Sequence, residues 1–238
     1  MVRRFLRQKF GSPAMAIALG VVALLTAVQA ALSEPERALG TGFVAIVLLA
    51  AGSVSKDRSS GALQLILARP IRRTSYLFGR YLGILAAYGT FLGVTGALAT
   101  LLAYAWPRMI GASTSSGFAV AALARGLGSA FLNGLLFAAV LLFFSTFLRG
   151  YADVLAYLVL SILLGLLPGL GQALRKPWLQ HAAEELRRNV LPDVDWGEVL
   201  RGHEILGEPT GRWVLAVTAF LILAAVVFSR REFSYGND

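Results

Sequence analysis

Six stretches of this chain carry no charged side chain over lengths that match the thickness of a bilayer, and this spacing of charge constrains the fold more than any other feature. They run from Ala14 to Leu32, Ala38 to Val54, Tyr81 to Trp106, Ser129 to Leu148, Val154 to Leu174 and Trp213 to Ser229. A hydrocarbon core of ~30 Å takes about 20 helical residues, with a usable range of about 17 to 25. Each stretch is therefore long enough to cross, with the second and sixth near the lower limit. Composition agrees: 57% of the 238 residues are hydrophobic and 15% are charged, against about 25% charged in a soluble domain that must cover its own surface with water-compatible groups. The expected fold is an all-α polytopic membrane protein with six transmembrane helices.

An even number of spans puts both termini on one side, and the charges between spans say which. Arg3, Arg4, Arg7 and Lys9 precede the first span, and Lys56, Arg58, Arg69, Arg72, Arg73 and Arg80 lie between the second and third. Arg149 follows the fourth, and Arg230 and Arg231 follow the sixth. This face holds 13 of the 22 Lys and Arg residues with few acids, whereas the basic residues of the other face are diluted by acids such as Glu34, Glu36, Asp193 and Asp195. By the positive-inside rule the N and C termini are cytoplasmic. The net charge of +9 is then accounted for without nucleic acid, which is not an expected partner.

Smaller elements follow from periodicity. Val2, Phe5, Leu6 and Phe10 share one helical arc, which predicts an amphipathic interfacial helix over residues 1–13 that breaks at Gly11 and Pro13. The basic start, apolar run and Val28-Gln29-Ala30 resemble a cleavable secretory signal, but a 19-residue apolar run is span-length, so the first segment is expected to be retained. Gly117 to Gly128, apolar except for Arg125, makes the fourth segment too long for one crossing and reads as a separate re-entrant or interfacial helix. The extracytoplasmic connection 172–212 carries a stripe of Leu179, Ala182, Ala183, Leu186 and Val190 between Pro177 and Pro192, a helix that could lie on the membrane, cap a pathway or pack on loops. With no repeat or linker apparent, residues 1–238 read as one membrane domain.

The cytoplasmic loop 55–75 is unlike a solvated connection. Leu63, Ile66, Leu67 and Pro70 fall at i, i+3, i+4 and i+7, which predicts a short helix with one apolar face that something must cover. Ser59 or Ser60 can cap its start, and Pro70 ends it, because the residue before proline is pushed out of the α region. Asp57 and Arg58 on one side and Arg69, Arg72 and Arg73 on the other form a charged collar around this peg. It suits insertion into a groove on a cytoplasmic partner, the alternative being a helix lying on lipid headgroups with its arginines on phosphate.

The residues Asp57-Arg58-Ser59-Ser60-Gly61-Ala62-Leu63-Gln64-Leu65, followed by Ala68-Arg69-Pro70-Ile71-Arg72-Arg73 and Leu77-Phe78-Gly79-Arg80-Tyr81-Leu82-Gly83, resemble the permease subunit of ABC-2 type transporters. That family shows an acid, Gly-Thr-Leu, a Leu-rich turn ending in Ser-Pro, then basic residues and a Gly-Lys element. Here Asp57 stands where Glu is usual, Ala62 where Thr is usual, Gln64 where Glu is common and Arg80 where Lys is common. The close match covers roughly Ser53 to Gly83. The resemblance implies that the loop is a coupling helix docking on a separate ATPase through Asp57, Arg58, Ser59, Gly61, Leu63, Gln64, Ile66, Leu67, Pro70, Arg72 and Arg73. It also implies a second permease copy or a related permease, a plasma (inner) membrane setting in a prokaryote, and an extracytoplasmic accessory protein as a further candidate partner.

Catalytic chemistry is poorly supplied. Lys9, Lys56 and Lys176 follow Gln8, Ser55 and Arg175, so no lysine sits in a phosphate-cradling Gly-x-x-x-x-Gly-Lys loop, and ATP with its Mg²⁺ is expected on the partner rather than on this chain. There is no cysteine, and His181 and His203 begin no His-Glu-x-x-His pair, so no metal or other cofactor is expected. Asp57 and Asp153 are the only acids on the cytoplasmic side before the C-terminal tail, too few and too far apart in sequence for acid-base catalysis. The spans hold no charged group for ion coupling; Asn133 reads as a hydrogen bond between helices, and Gly83, Gly89, Gly93 and Gly96 as close helix packing. The expected function is therefore a permease that couples ATP hydrolysis on another subunit to substrate movement, with a non-transporting membrane anchor that recruits a cytoplasmic partner as the alternative.

Overall fold

The computed structural model describes residues 13–32, 39, 43–54, 57, 72–109, 120–148, 152–174, 176–192, 194–202 and 207–230. Among these the regular structure is all helical: α1 (Pro13–Leu32), α2 (Phe43–Ala50), α3 (Arg73–Met109), α4 (Val120–Phe147), α5 (Ala152–Ala173), α6 (Pro177–Val190), α7 (Trp196–Leu200) and α8 (Glu208–Arg230). Five of them are long and apolar enough to cross a membrane: α1, α3, α4, α5 and α8. Of the expected second span, Leu39 and Phe43–Ala50 are helical among the described residues, the latter about 12 Å long, before a turn over residues 51–54. The expected interfacial helix lies outside the described residues.

Two boundaries differ from expectation. Val120–Phe147 is one helix of 28 residues, so the segment ahead of the fourth span is its first turns and not a separate re-entrant piece. No proline interrupts it, and a glycine inside a helix costs only about 1 kcal/mol, so neither Gly126 nor Gly128 stops propagation. Likewise α3 starts at Arg73, eight residues before the charge-free stretch begins. Proline disfavours helix at the residue before it but not after it, so a helix can begin soon after Pro70. By contrast the stripe bracketed by Pro177 and Pro192 forms the expected α6, although only part of it is covered: Ala183 is buried while Leu186 is 48% exposed.

The chain divides into two compact units. The first comprises Met1–Leu49, Leu82–Phe137 and Asp195–Ile205. In α1 a stripe of Leu19, Ala23, Thr26, Ala27 and Ala30 is buried, while Ile17, Val21, Leu24 and Leu25 are exposed. Small residues on the covered stripe let backbones approach closely, and the bare apolar stripe is what lipid would cover. Close approach is tightest where α4 meets α3 and α2. A Cβ on Gly134 would lie 2.8 Å from Tyr88 Cδ1 and 3.0 Å from Ile46 Cδ1, and the Tyr88 hydroxyl is held by donating to the Ala130 carbonyl at 3.3 Å. Of the glycines singled out in α3, Gly96 faces Leu127 and Gly89 faces Phe131, whereas Gly93 has open space around it. Asn133 does join two helices: its Oδ1 accepts from Trp196 Nε1 at 3.1 Å, fixing α7, whose start is capped by the Asp195 side chain.

These contacts predict opposite outcomes for one substitution at two sites. Gly93→Ala should leave stability unchanged or raise it slightly through helix propensity, while Gly134→Ala should cost about 1–3 kcal/mol because Tyr88 cannot retreat without losing its hydrogen bond. Thermal unfolding of both variants in one detergent separates them; equal midpoints would show that Gly134 is not a close-packing position.

The second unit comprises Ala50–Tyr81, Ala138–Val194 and Leu206–Asp238. Its centre is the second half of α4, where Ala138, Ala139, Val140, Leu141 and Leu142 are consecutively buried, so this stretch is covered all round rather than along one stripe. An aromatic cluster extends it, with Phe143 close to Phe144, Phe147 and Phe220. The outward faces of α5 and α8 are apolar and exposed, including Leu155, Val159, Ile162, Leu166, Leu215 and Ile222. A water-soluble monomer rarely leaves so much contiguous apolar surface bare, and with five span-length helices this is a multi-pass membrane protein.

Candidate functional site

The turn after α2 and the residue Asp57 are gripped by side chains from α3, α4 and α5, all within the second unit. The geometry starts with backbone groups that leave helix at Ala50 and need new partners. Gly52, at φ 64°, is in the left-handed region that glycine adopts without steric cost. Its N–H donates to Asp153 Oδ2 at 2.9 Å, and the Val54 N–H donates to Ser145 Oγ at 3.1 Å. Asp153 is fully buried at the first turn of α5, where its other oxygen accepts the Val154 N–H at 2.9 Å. A carboxylate is favoured there by the positive end of the helix dipole as well as by these donors.

Asp57 is 4% exposed. Its Oδ2 accepts from the Tyr76 hydroxyl at 2.7 Å and forms an ion pair with the Arg80 guanidinium. Tyr76 and Arg80 are four apart on α3 and therefore share a face. The Arg80 Nε donates to the Tyr76 hydroxyl at 3.2 Å, with the guanidinium 5.5 Å from the tyrosine ring centroid. That ring also stacks on Phe228 of α8 at 5.7 Å. One residue beyond Phe228, the Ser229 carbonyl accepts from Arg73 Nη1 at 3.0 Å, which places a cation on the unsatisfied carbonyls at the C-terminal end of α8. The start of α3, the end of α4, the start of α5 and the end of α8 are thus tied together around the root of the loop.

Asp57 was expected in an exposed charged collar and is instead turned inward, because α3 supplies both a counter-ion and a hydroxyl donor for it. Arg72 and Arg73 are exposed, and of the two Arg73 reaches α8. Arg58, Ser59, Gly61, Leu63, Gln64, Ile66, Leu67 and Pro70 lie outside the described residues. Tyr76, Ser145, Asp153 and Phe228 were not singled out as site residues from the sequence. The available signal for Asp153 was its isolation: a lone acid beginning a 21-residue apolar run must be buried at a helix start or exposed at the boundary, and its neighbours Ala152 and Val154 give it little to pair with. Tyr76 carried the spacing to Arg80 but no distinguishing context.

Among the described residues, the polar contacts of this cluster hold the turn after α2 and Asp57 to the surrounding helices. The arrangement has the form of a joint that ties the turn after α2 and Asp57 to several helices at once through charge-assisted bonds. A family model described as ABC-2 family transporter protein matches residues 36–175, a stretch that takes in Gly52, Asp57, Tyr76, Arg80, Ser145 and Asp153 and stops short of Phe228. No curated protein matches the chain.

Proposed function

Because the chain belongs to the ABC-2 family of transporter proteins, we propose that it is the permease subunit of an ATP-driven transporter. A separate cytoplasmic ATPase docks on loop 55–75, and a second copy of the chain or a related permease completes the pathway. The observation that carries this reading is the buried Asp57–Arg80–Tyr76 cluster. A loop that merely connected two spans would not need a desolvated ion pair at its root, since burying a charge is costly without such compensation, whereas a loop that receives force must be rigidly joined to the helices it moves.

In this mechanism ATP closes the ATPase dimer, and the peg formed by Leu63, Ile66 and Leu67 moves with it. The joint passes that movement to α3, α4, α5 and α8, changing which side of the membrane the pathway faces. The ATPase must bind the peg differently in its two states, since equal binding would shift nothing. ATP and Mg²⁺ are held by the partner. The chain resides in the plasma (inner) membrane of a prokaryote, with six spans counting the segment around α2, both termini cytoplasmic and an N-terminal interfacial helix.

Co-expression with its cognate ATPase tests the function. The expected result is a stable complex whose ATP hydrolysis in proteoliposomes is stimulated by transported substrate; a complex with no transport and no substrate-responsive hydrolysis would favour a plain membrane anchor. Topology has its own test, since the chain contains no cysteine. Arg72→Cys, Arg149→Cys and Tyr235→Cys should react with an impermeant maleimide only in inverted vesicles, and Glu36→Cys and Asp195→Cys only in intact cells. Labelling of Asp195→Cys from the cytoplasmic side alone would overturn the orientation.

A further inference from the structure

At the opposite ends of α5 and α8 from the loop root, α6 folds against both helices and leaves a cavity of about 490 Å³, within the ~300–1,000 Å³ range of small-molecule sites. Pro168, Glu184, Arg187, Arg188, Glu208 and Arg212 are among its lining residues. The charges are not evenly matched. Glu208 is paired with Arg212 one turn along α8, and Glu184 accepts from Gln180 Nε2 at 3.3 Å. Arg187 and Arg188 are exposed and make no ion pair among the described residues. Two adjacent guanidiniums with free donors on the rim of a cavity select an anion with several oxygens, above all a phosphate, which an arginine can bind through two parallel hydrogen bonds.

The level of the cavity identifies what carries the phosphate. The apolar part of α5 ends at Gly169 and the charge-free part of α8 begins at Trp213, so Pro168 and Arg212, with Glu208 one turn before it, stand where hydrocarbon gives way to headgroups. On α6 the two arginines share the helix with Trp178 and Leu186, which are 65% and 48% exposed, and a tryptophan with apolar and basic residues on one short helix is the make-up of a segment lying in that boundary layer. The geometry points to a binding site for the headgroup of an anionic phospholipid, with Arg187 and Arg188 on its phosphate and the apolar face of α6 along its glycerol and upper acyl chain. This inference needs only that the chain is embedded in a bilayer and is independent of the transport role.

The test uses the full-length protein in a neutral detergent, with lipid binding read by native mass spectrometry. Phosphatidylglycerol should be retained about tenfold better than phosphatidylcholine of the same chains, a preference of the size expected for two arginines near a lipid phosphate. Arg187→Ala with Arg188→Ala should abolish the preference, while Arg230→Ala, at the other end of α8, should keep it. Circular dichroism and a monodisperse elution profile establish that the double variant is folded. Equal retention of the two lipids by the wild type, or an unchanged preference in the double variant, overturns the site. Displacement of phosphatidylglycerol by soluble glycerol phosphate at comparable concentration would overturn the lipid as its source, because the acyl chains would then contribute nothing.

Discussion

Asp57→Ala is expected to destabilise the folded chain by about 3–5 kcal/mol, the effect of removing one member of a buried ion pair. Arg80 is 9% exposed and cannot recover full hydration in place. Tyr76 loses the acceptor for its hydroxyl at the same time, which adds the cost of an unmade buried hydrogen bond. Asp57→Ala combined with Arg80→Met should recover most of the loss, because replacing both members of a buried pair with apolar groups is often close to neutral. A partly exposed contact at an interface rim would instead be worth about 1 kcal/mol or less, so the size of the effect separates a joint from a docking contact. Unfolding free energies of the single and double variants in one detergent decide the matter. An Asp57→Ala variant as stable as the wild type would show that the buried pair does not hold the loop root.

Leu63→Asp with Leu67→Asp should have the complementary phenotype: normal stability and insertion, but no ATPase bound. Neither residue belongs to a span, and both lie on the one apolar face of the loop's predicted helix. Burying two leucines in a partner groove stabilises a complex by about 3–6 kcal/mol, and placing carboxylates there adds a desolvation penalty. The expected loss is more than about a hundredfold in affinity, read as absence of the ATPase after co-purification and loss of ATP-driven transport. If the double variant retained its ATPase at wild-type yield, the loop would be better explained as a helix resting on lipid headgroups. Comparing the two experiments is informative in itself, since the first acts on the joint and the second on the surface presented to the partner.

The membrane character and most helix positions were legible in the sequence because they follow from charge exclusion and from proline, which act locally. α1, α5, α6 and α8 lie close to where apolar runs and the Pro177–Pro192 bracket put them. The starts of α3 and α4 were not, because nothing in the thickness of a bilayer tells a helix where to begin; only a proline or a cap would, and residues 120–147 contain no proline. The joint was half legible. Asp57 and Arg80 stood out through their resemblance to a family pattern, but that pattern says nothing about which way Asp57 faces. Its inward orientation depends on Tyr76, 19 residues further along, and on Phe228, 171 residues away, and pairings across such separations leave no periodicity to read. Gly134 was missed for the same reason: its neighbours Tyr88 and Ile46 come from two other helices.

The grip on the turn after α2 is made through main-chain donors, the N–H groups of Gly52 and Val54, to side chains that lie elsewhere, on Asp153 and Ser145. Apart from the glycine that permits φ 64°, the segment contributes nothing that depends on side-chain identity at these two bonds. The loop is in that sense interchangeable. A related loop grafted between Val54 and Arg72 would be seated in the same register provided that Asp57 comes with it and Asp153 and Ser145 remain in the recipient. If the loop docks a partner as proposed, partner choice can diverge among relatives by rewriting that short stretch while the contacts that seat it are left untouched.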